Sequence, residues 1–96
     1  MKDFCISAVK YDLLKKHIEY VKVHEDKGTK IGPARIVPRE FVADLIRMGK
    51  ATFQTITLGG NGNWQNGAEI HVIDDEYLTT NKNSTVRDNL GSLPNF

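Results

Sequence analysis

The side chains best suited to bind a small molecule begin with a glycine-rich stretch around the single tryptophan. Residues 59–67 contain four glycines and three asparagines, with Trp64 among them. Glycine and asparagine tolerate positive φ, so the loop can turn backbone N–H groups toward an anion while the indole stacks on a ring. We name Asn61, Asn63 and Trp64 as ligand-binding candidates. A structural interpretation competes with this and is the simpler one for the loop alone: the asparagines form turns and Trp64 folds over the core.

A polar segment, residues 77–96, supplies a second set of candidates. Its polar clusters alternate with Leu90, Leu93 and Phe96, a pattern unlike that of a disordered tail. We interpret it as an ordered, irregular C-terminal strap that these three residues hold against the domain. Its hydroxyls, amides and cations suit a ribose and a phosphate. The ligand-binding candidates in the strap are Tyr77, Thr79, Thr80, Asn83, Arg87 and Asn89. The same groups would equally well satisfy the backbone of the strap itself.

Metal binding and catalysis have weaker support in the sequence. The candidate metal ligands are Cys5, the three histidines His17, His24 and His71, and the acidic pair Glu25-Asp26. They lack any spacing known from zinc sites, so no metal and no cofactor is predicted. Cys5 lies in an apolar stretch, where it should behave as a small buried hydrophobe rather than a thiolate. The serines lie in no nucleophile-elbow motif, and the carboxylates at residues 74–76 fit a hairpin turn. No catalytic residue is assigned, and a protein that is not an enzyme is favoured. A catalytic site assembled between subunits is the alternative left open.

The size and charge of the chain narrow the classes of partner. Ninety-six residues predict one domain, residues 1–96, which buries only about two thirds of the surface of its unfolded chain. Self-association would add stability, and we expect a homo-oligomer. Thirteen basic residues nearly balance twelve acidic ones, and the net charge of +1 argues against nucleic acid and membranes as partners. With one cysteine, no signal-like start and no long apolar run, the chain is expected to be cytoplasmic.

One amphipathic helix is the clearest element of secondary structure. Pro38 fits its first position and Gly49 its left-handed C-terminal cap. The apolar residues at helical spacing between them are Phe41, Val42, Leu45 and Ile46. We predict that this face packs on a sheet, and that truncating Phe41 or Leu45 to alanine unfolds the domain.

Strand-like patterns surround the helix. The predicted strands are residues 4–11 and 17–24 before it, and 52–58, 68–73 and 76–80 after it. Residues 25–33 and 59–67 are predicted loops. In the second strand the apolar positions change phase between Tyr20 and Val21, which indicates a bulge or burial on both faces. The predicted fold class is α+β: a small curved antiparallel sheet or partial barrel of order β-β-α-β-β-β, with one packed helix and an ordered C-terminal strap.

Short motifs along most of the chain resemble a known family. They are Phe-Cys-Ile-x-Ala-Val at residues 4–9, Trp64 with Asn66-Gly67, Tyr-Leu-x-Thr at residues 77–80, and Asp-Asn-Leu-Gly-x-Leu-Pro-x-Phe at residues 88–96. The pattern is similar to that of small bacterial and phage domains whose function is unknown. The resemblance implies a compact domain and supplies no activity, substrate or catalytic residue.

Three kinds of function fit these observations. The first is a non-enzymatic protein that binds a small polar or nucleotide-type ligand in pockets formed with the strap and the glycine-rich loop. The resemblance to phage domains extends this first function: the protein would be an anti-defence sponge that sequesters a nucleotide immune signalling molecule. The alternative is a protein-interaction module, an adaptor or inhibitor, that acts through the Trp64 loop or a sheet edge. The third is a single-stranded nucleic-acid binder, which the near-neutral charge disfavours.

Overall fold

The described residues form a small α+β domain of seven strands and one helix. In this computed structural model they are residues 2–13, 17–28, 30–60, 62–73, 77–80 and 93–96. The elements in chain order are β1 (Phe4–Tyr11), β2 (Ile18–Glu25), β3 (Arg35–Pro38), α1 (Arg39–Arg47), β4 (Phe53–Leu58), β5 (Trp64–Glu69), β6 (His71–Ile73) and β7 (Tyr77–Thr79). Within these ranges, no helix combines the length and the apolar character needed to cross a bilayer.

Five of the strands form one mixed sheet in the order β3-β2-β1-β4-β5. β1 pairs antiparallel with β2, β2 with β3 and β4 with β5, whereas β1 and β4 are parallel. The parallel pair follows from the connection: α1 carries the chain from β3 across two strands to the far side of β1, and a crossover of this kind returns it in the same direction. The predicted α+β class is therefore confirmed. The prediction of a fully antiparallel sheet is wrong, and the described sheet is open, with β3 and β5 as its outer strands.

Two of the strands were not anticipated from sequence. β3 lies just beyond the predicted loop 25–33, and β5 begins at Trp64, inside the predicted loop 59–67. The predicted strand 68–73 is divided at Ile70, which is buried and donates its N–H to the carbonyl of Phe53 at 2.9 Å. All six residues of β5 are exposed, so its sequence carries no alternation of polar and apolar residues.

The core lies between the sheet and α1. Val42 and Ala43 of the helix are buried against Ile6, Val21 and Phe53 of the sheet. At about 1.5–3 kcal/mol for each fully buried large apolar side chain, this layer supplies most of the stability of so small a domain. The predicted helix residues Leu45 and Ile46 are half-buried at its margin.

Phe41 departs from its predicted place in the core. Its side chain is 55% exposed. The buried stripe of α1 is centred on Val42, Ala43 and Ile46, and Phe41 falls on the solvent side of that stripe. The prediction that Phe41 packs in the core is therefore wrong, and Phe41→Ala should leave the domain folded.

The ends of the helix follow its sequence signals closely. Pro38 is the N-cap residue, one position before its predicted place. Gly49 has φ 70° and donates its N–H to the carbonyl of Ile46 at 3.0 Å, while Lys50 N–H donates to the carbonyl of Leu45 at 2.9 Å. This pair of bonds satisfies two terminal carbonyls in the way that a left-handed glycine cap allows. The predicted cap at Gly49 is confirmed.

The β6–β7 hairpin and the end of the strap close the helix side of the domain. Both hairpin strands contact α1, and Leu78 of β7 is fully buried in the core. Val9 N–H donates to the carbonyl of Pro94 at 2.9 Å, and Phe96 N–H donates to the carbonyl of Val9 at 3.0 Å, so the last residues continue the sheet beside β1. Leu93 is buried in the core as predicted for the strap, and Leu90 lies outside the described residues.

Candidate functional site

The side of the sheet opposite the helix carries a group of polar side chains. Side chains alternate along a strand, so residues next to the core residues Ile6, Val23 and Phe53 point the other way. These residues are Cys5, Ser7, His24 and Gln54, and we call the surface they carry the polar face. Cys5, Ser7 and His24 are buried on this face. Its side chains are therefore packed against other residues and are not simply exposed to solvent.

A bulge in β1 shapes the polar face. Ile6 pairs with Val23 and Ala8 with Lys22, which leaves Ser7 as an extra residue in β1. The extra residue changes the phase of the strand, so that Val9 joins Ile6 in the core. A second irregularity leaves an extra residue in β2 close to the predicted phase change at Tyr20. The sequence offered two interpretations of the phase change, a bulge or burial on both faces near the strand end. The extra residue between Ile18 and Tyr20 fits the first, and the burial of both Val23 and His24 fits the second.

Ser7, His24 and Gly32 form a hydrogen-bonded chain under the polar face. Ser7 Oγ lies 2.7 Å from His24 Nε2, and His24 Nδ1 lies 2.9 Å from the carbonyl oxygen of Gly32. A carbonyl can only accept, so Nδ1 carries a proton; in the neutral ring Nε2 then accepts from the Ser7 hydroxyl. This buried imidazole has both nitrogens satisfied and joins β1, β2 and the loop that follows β2.

A second polar cluster lies beside this chain. Gln54 Nε2 donates to Asn66 Oδ1 at 3.2 Å and to Asp26 Oδ2 at 3.4 Å. The Cys5 thiol lies 3.8 Å from Asp26 Oδ2 and 3.7 Å from Gln54 Nε2. Burial raises the pKa of the Cys5 thiol, and the nearby Asp26 charge raises it further. Cys5 is therefore a protonated, buried thiol, as its apolar sequence context predicted.

These groups border a groove of about 900 Å³. Its polar lining consists of two lysines, three side-chain amides and one carboxylate: Lys2, Lys30, Gln54, Asn63, Asn66 and Asp26. Trp64 forms a further part of the wall, and Gly28 and Ile31 complete it. The volume falls in the range of small-ligand sites.

Trp64 is the flat apolar surface of the groove. It is the first residue of β5, where it pairs with Leu58 of β4. Its ring centroid lies 5.6 Å from that of His24, at an interplanar angle of 53°, and 42% of the residue is exposed. The indole thus rests partly on the buried imidazole and leaves area free for a ring to stack on it.

The loop after β2 forms the opposite wall. Asp26 and Ile31 make an isolated bridge, Gly32 N–H donates to the carbonyl of Glu25 at 2.9 Å, and Gly28 N–H donates to Asp26 Oδ1 at 2.9 Å. Gly28 has φ 83°, a conformation that residues with a side chain rarely adopt. Lys30, which follows in the chain, lines the groove.

The N-terminal end of β1 places the other lysine. Asp3 Oδ2 accepts from Thr52 N–H at 2.9 Å and from Thr52 Oγ1 at 3.0 Å, and these bonds hold the pKa of Asp3 below its ordinary value. Lys2, fixed next to this clamp, donates to Glu69 Oε2 at 2.6 Å. Lys2 thus links the residues before β1 to Glu69, the last residue of β5.

Gly67 explains how β5 can approach closely enough to carry Trp64. A Cβ at this position would lie 2.9 Å from the Thr55 carbonyl oxygen and would collide with Thr55 Oγ1. That hydroxyl accepts the Ala68 N–H at 3.0 Å at an irregularity in the β4–β5 pairing. The sequence interpretation placed Asn66-Gly67 in a turn; the structure places both residues in a strand, and the glycine serves close packing.

The residues proposed from sequence fall in different places. Asn63 and Trp64 line the groove. Tyr77 stacks on His17 with ring centroids 4.6 Å apart, with Arg39 Cζ 5.4 Å from its ring centroid, on the helix side. Thr79 is fully buried there, and Thr80 follows at partial exposure. The candidates outside the described residues are Asn61, Asn83, Arg87 and Asn89.

Within the described residues, then, Trp64 and the β7 end of the strap do not share one pocket. Sequence reasoning missed the groove residues Lys2, Asp26, Lys30, Gln54 and Asn66. Gln54 could have been identified from the sequence, because a glutamine with its long amide side chain stands out between Phe53 and Thr55 in an apolar strand. The two lysines had none, since a surface lysine in a loop is ordinary.

Neither known proteins nor a cluster of metal ligands assigns a function to the chain. The chain matches no known protein family, no curated protein and no solved structure. In the part of the chain that the structure describes, no three His, Cys, Asp or Glu side chains are grouped to hold a metal ion.

Proposed function

We propose that the groove beside Trp64 binds a small anionic ligand that carries an aromatic ring, of the nucleotide class. The observation that supports this is the combination of a partly exposed indole with Lys2, Lys30 and several amides around one groove of about 900 Å³. An indole suits a base, lysine ammonium groups suit a phosphate, and amides with a carboxylate suit the polar edge of a base or a sugar.

In the proposed complex, each part of the ligand has its own contacts. The base stacks on Trp64, near Asn66 and Asn63, whose amides both donate and accept. Asp26 accepts from an amino group of the base or from a ribose hydroxyl, and it keeps the site from being uniformly cationic. The phosphate lies toward Lys30, because Lys2 already donates to Glu69. These contacts favour a ligand that combines one aromatic ring with one or two negative charges.

We propose that the protein binds its ligand without converting it. Ser7 and His24 are buried with their hydrogen bonds satisfied, and Cys5 is a buried thiol whose pKa is raised. None of the three lines the groove. A protein that holds a nucleotide without transforming it would act as a sponge, and the resemblance to phage domains suggests an immune signal as its ligand.

Self-association belongs to the same proposal. All six residues of β5 are exposed, and β5 pairs only with β4 among the described strands. An outer strand of a sheet can pair with a strand of a second copy, and a small domain gains stability from the added interface.

A native mass spectrum and a matched pair of variants test the proposal. Protein purified from its native background should appear as a multimer with a nucleotide-sized mass retained; a bare monomer contradicts the sponge. In calorimetry with ADP, Trp64→Ala should weaken binding by at least about fivefold, since base stacking on an aromatic ring is worth about 1–3 kcal/mol. Phe41→Ala, which removes an exposed aromatic on the helix, should leave ADP binding unchanged. Equal loss in both variants, or no ADP binding by the wild type, counts against the nucleotide groove.

A protein-interaction module is the second candidate, favoured by the exposed edge of β5. A partner segment could add to this edge as a strand, with Trp64 as an anchor. This function predicts capture of a protein that ADP does not displace. A single-stranded nucleic-acid binder remains the third, and binding that weakens steeply with salt would identify it.

A further inference from the structure

The side-chain amide of Gln54 is held in one orientation between two other residues of the groove. Its Nε2 lies 3.4 Å from Asp26 Oδ2 and 3.2 Å from Asn66 Oδ1. Which end of an amide is the nitrogen follows from its partners. A carboxylate oxygen only accepts hydrogen bonds, so the atom of Gln54 that faces Asp26 is the nitrogen. Asp26 therefore sets the orientation of Gln54.

The orientation of Gln54 in turn sets that of Asn66. Because the Gln54 nitrogen donates, the atom of Asn66 that faces it is the oxygen Oδ1. The Nδ2 group of Asn66 lies on the other side of the amide, and among the described residues it donates to no protein atom. Asn66 is exposed and lines the groove. The network therefore leaves N–H donors at Asn66 for a ligand.

Asp26 offers the groove the opposite kind of group. Its Oδ1 accepts from Gly28 N–H at 2.9 Å, and its Oδ2 accepts from Gln54. Each carboxylate oxygen has two lone pairs. Within the described part of the chain, the second pair of Oδ1 has no donor, and Oδ2 has only the weak thiol donor of Cys5 at 3.8 Å. An acceptor and a donor thus stand on either side of Gln54, at Asp26 and Asn66.

Trp64 places a stacked base beside these two groups. Trp64 and Asn66 are two residues apart in β5, so their side chains share one face of the strand, roughly 7 Å apart along it. Both residues line the groove together with Asp26 and Gln54. A base that stacks on the indole can therefore turn its hydrogen-bonding edge toward Asn66 and Asp26.

The edge of guanine matches this pattern better than that of adenine. Guanine carries the acceptor O6 next to two donors, N1–H and the 2-amino group. O6 suits the Asn66 Nδ2 donors, and the two N–H groups suit the two oxygens of Asp26. In the same position, adenine sets its amino group against the Asn66 donors and its N1 acceptor against the carboxylate. Adenine meets both residues only with its ring turned over, and then with two hydrogen bonds instead of three.

We propose that the groove prefers guanine nucleotides, with Asp26 and Asn66 as the residues that read the base and Gln54 as the positioning residue between them. Adenine nucleotides bind the same groove more weakly, through stacking on Trp64 and the attraction of Lys30 for phosphate. This inference rests on the proposed nucleotide groove and names the ligand class of that site more closely.

Calorimetry with GDP, IDP and ADP tests the preference on the unmodified protein. GDP should bind at least about fivefold more tightly than ADP, which is the lower range of discrimination by one bidentate contact to a base. IDP, whose base lacks the 2-amino group, should bind more weakly than GDP. Equal affinities for GDP and ADP overturn the inference and leave the nucleotide groove intact. Failure of all three nucleotides to bind overturns the nucleotide groove as well.

Asp26→Asn tests which residues read the base. The Gly28 N–H keeps an oxygen at the position of Oδ1, so the introduced NH₂ group takes the place of Oδ2. Gln54 must then turn its oxygen to this group and its Nε2 away, and Asn66 reverses with it and presents an oxygen to the groove. The ratio of GDP affinity to ADP affinity should therefore fall to about one or below, because the donor and acceptor positions are exchanged.

A control and a second variant keep this test decisive. Glu25→Gln removes the same charge from the neighbouring exposed residue, which does not line the groove, and should keep the wild-type ratio. Asn66→Asp leaves the bond between Asp26 and Gln54 in place and replaces only the donor, so it should also lose the preference for GDP. It serves if Asp26→Asn does not fold. A wild-type ratio in either folded variant of the base-reading residues overturns the inference.

Discussion

The two faces of the sheet use adjacent residues of the same strands for different purposes. On the helix face, Ile6 and Phe53 are sealed in an apolar core. On the polar face, Cys5, Gln54 and their neighbours form a hydrogen-bonded layer under an open groove. The helix face gains its free energy from burial, whereas the polar face gains little net stability and fixes the positions of polar groups. The stability and the binding of this protein should therefore be separable by mutation.

Phe53 and Gln54 offer the sharpest test of that separation, because they are neighbours that point to opposite faces. Phe53→Ala removes a ring that is 2% exposed and stacked on Phe4, and should cost about 3–5 kcal/mol, enough to unfold much of the population. Gln54→Ala should cost about 1 kcal/mol and weaken ADP binding. Urea unfolding measures both. A loss of stability in Gln54→Ala as large as that in Phe53→Ala would mean that the two faces are not independent.

Gly67 and Gly60 test whether the position of β5 governs the groove. Gly67→Ala drives a Cβ to 2.9 Å from the Thr55 carbonyl oxygen, whereas a Cβ at Gly60 meets nothing within 4 Å. Overpacking of this kind costs about 1–3 kcal/mol, and the shift of β5 should move Trp64 and weaken ADP binding. Gly60→Ala should change neither stability nor binding by more than about 0.5 kcal/mol. If Gly67→Ala binds ADP normally, Trp64 does not depend on the close approach of β5 to β4.

The smallest expected effect is the loss of stability at alkaline pH that the Cys5 thiol causes. Its folded pKa is raised, so the unfolded chain releases the thiol proton at a lower pH than the folded protein does. Stability is therefore intact below the unfolded thiol pKa and falls as the pH rises from there toward the folded pKa. Cys5→Ala should flatten this alkaline loss in thermal denaturation, and native wild type should resist iodoacetamide. Rapid alkylation at neutral pH would show that Cys5 is open to the groove.

The two faces also differ in how far the sequence predicts them. The helix, its glycine cap and a buried Leu93 follow from local signals, because capping and helical periodicity act over a few residues. The parallel pairing of β1 with β4 did not, since it depends on where α1 carries the chain. β5 gave no pattern because it is exposed throughout.

The sequence predicts the groove less well than the fold. Trp64 and Asn63 were identified by residue type, yet their neighbours Asp26 and Gln54 come from distant parts of the sequence and meet only through strand pairing. Tyr77 and Thr79 had the right chemistry but belong to the helix side, because the β6–β7 hairpin packs against α1. Residue type thus predicted what a site would contain, and topology decided which residues contribute to it.

The most direct test of the nucleotide groove is a titration of isotope-labelled protein with ADP, followed by ¹H–¹⁵N correlation spectra. The largest shifts should fall on the indole N–H of Trp64 and on the side-chain amides of Gln54, Asn63 and Asn66. Backbone signals of Val42 and Leu78, on the helix side, should stay unchanged. Shifts centred on Tyr77 and Arg39, or no shift at saturating ADP, would contradict a nucleotide site on the polar face.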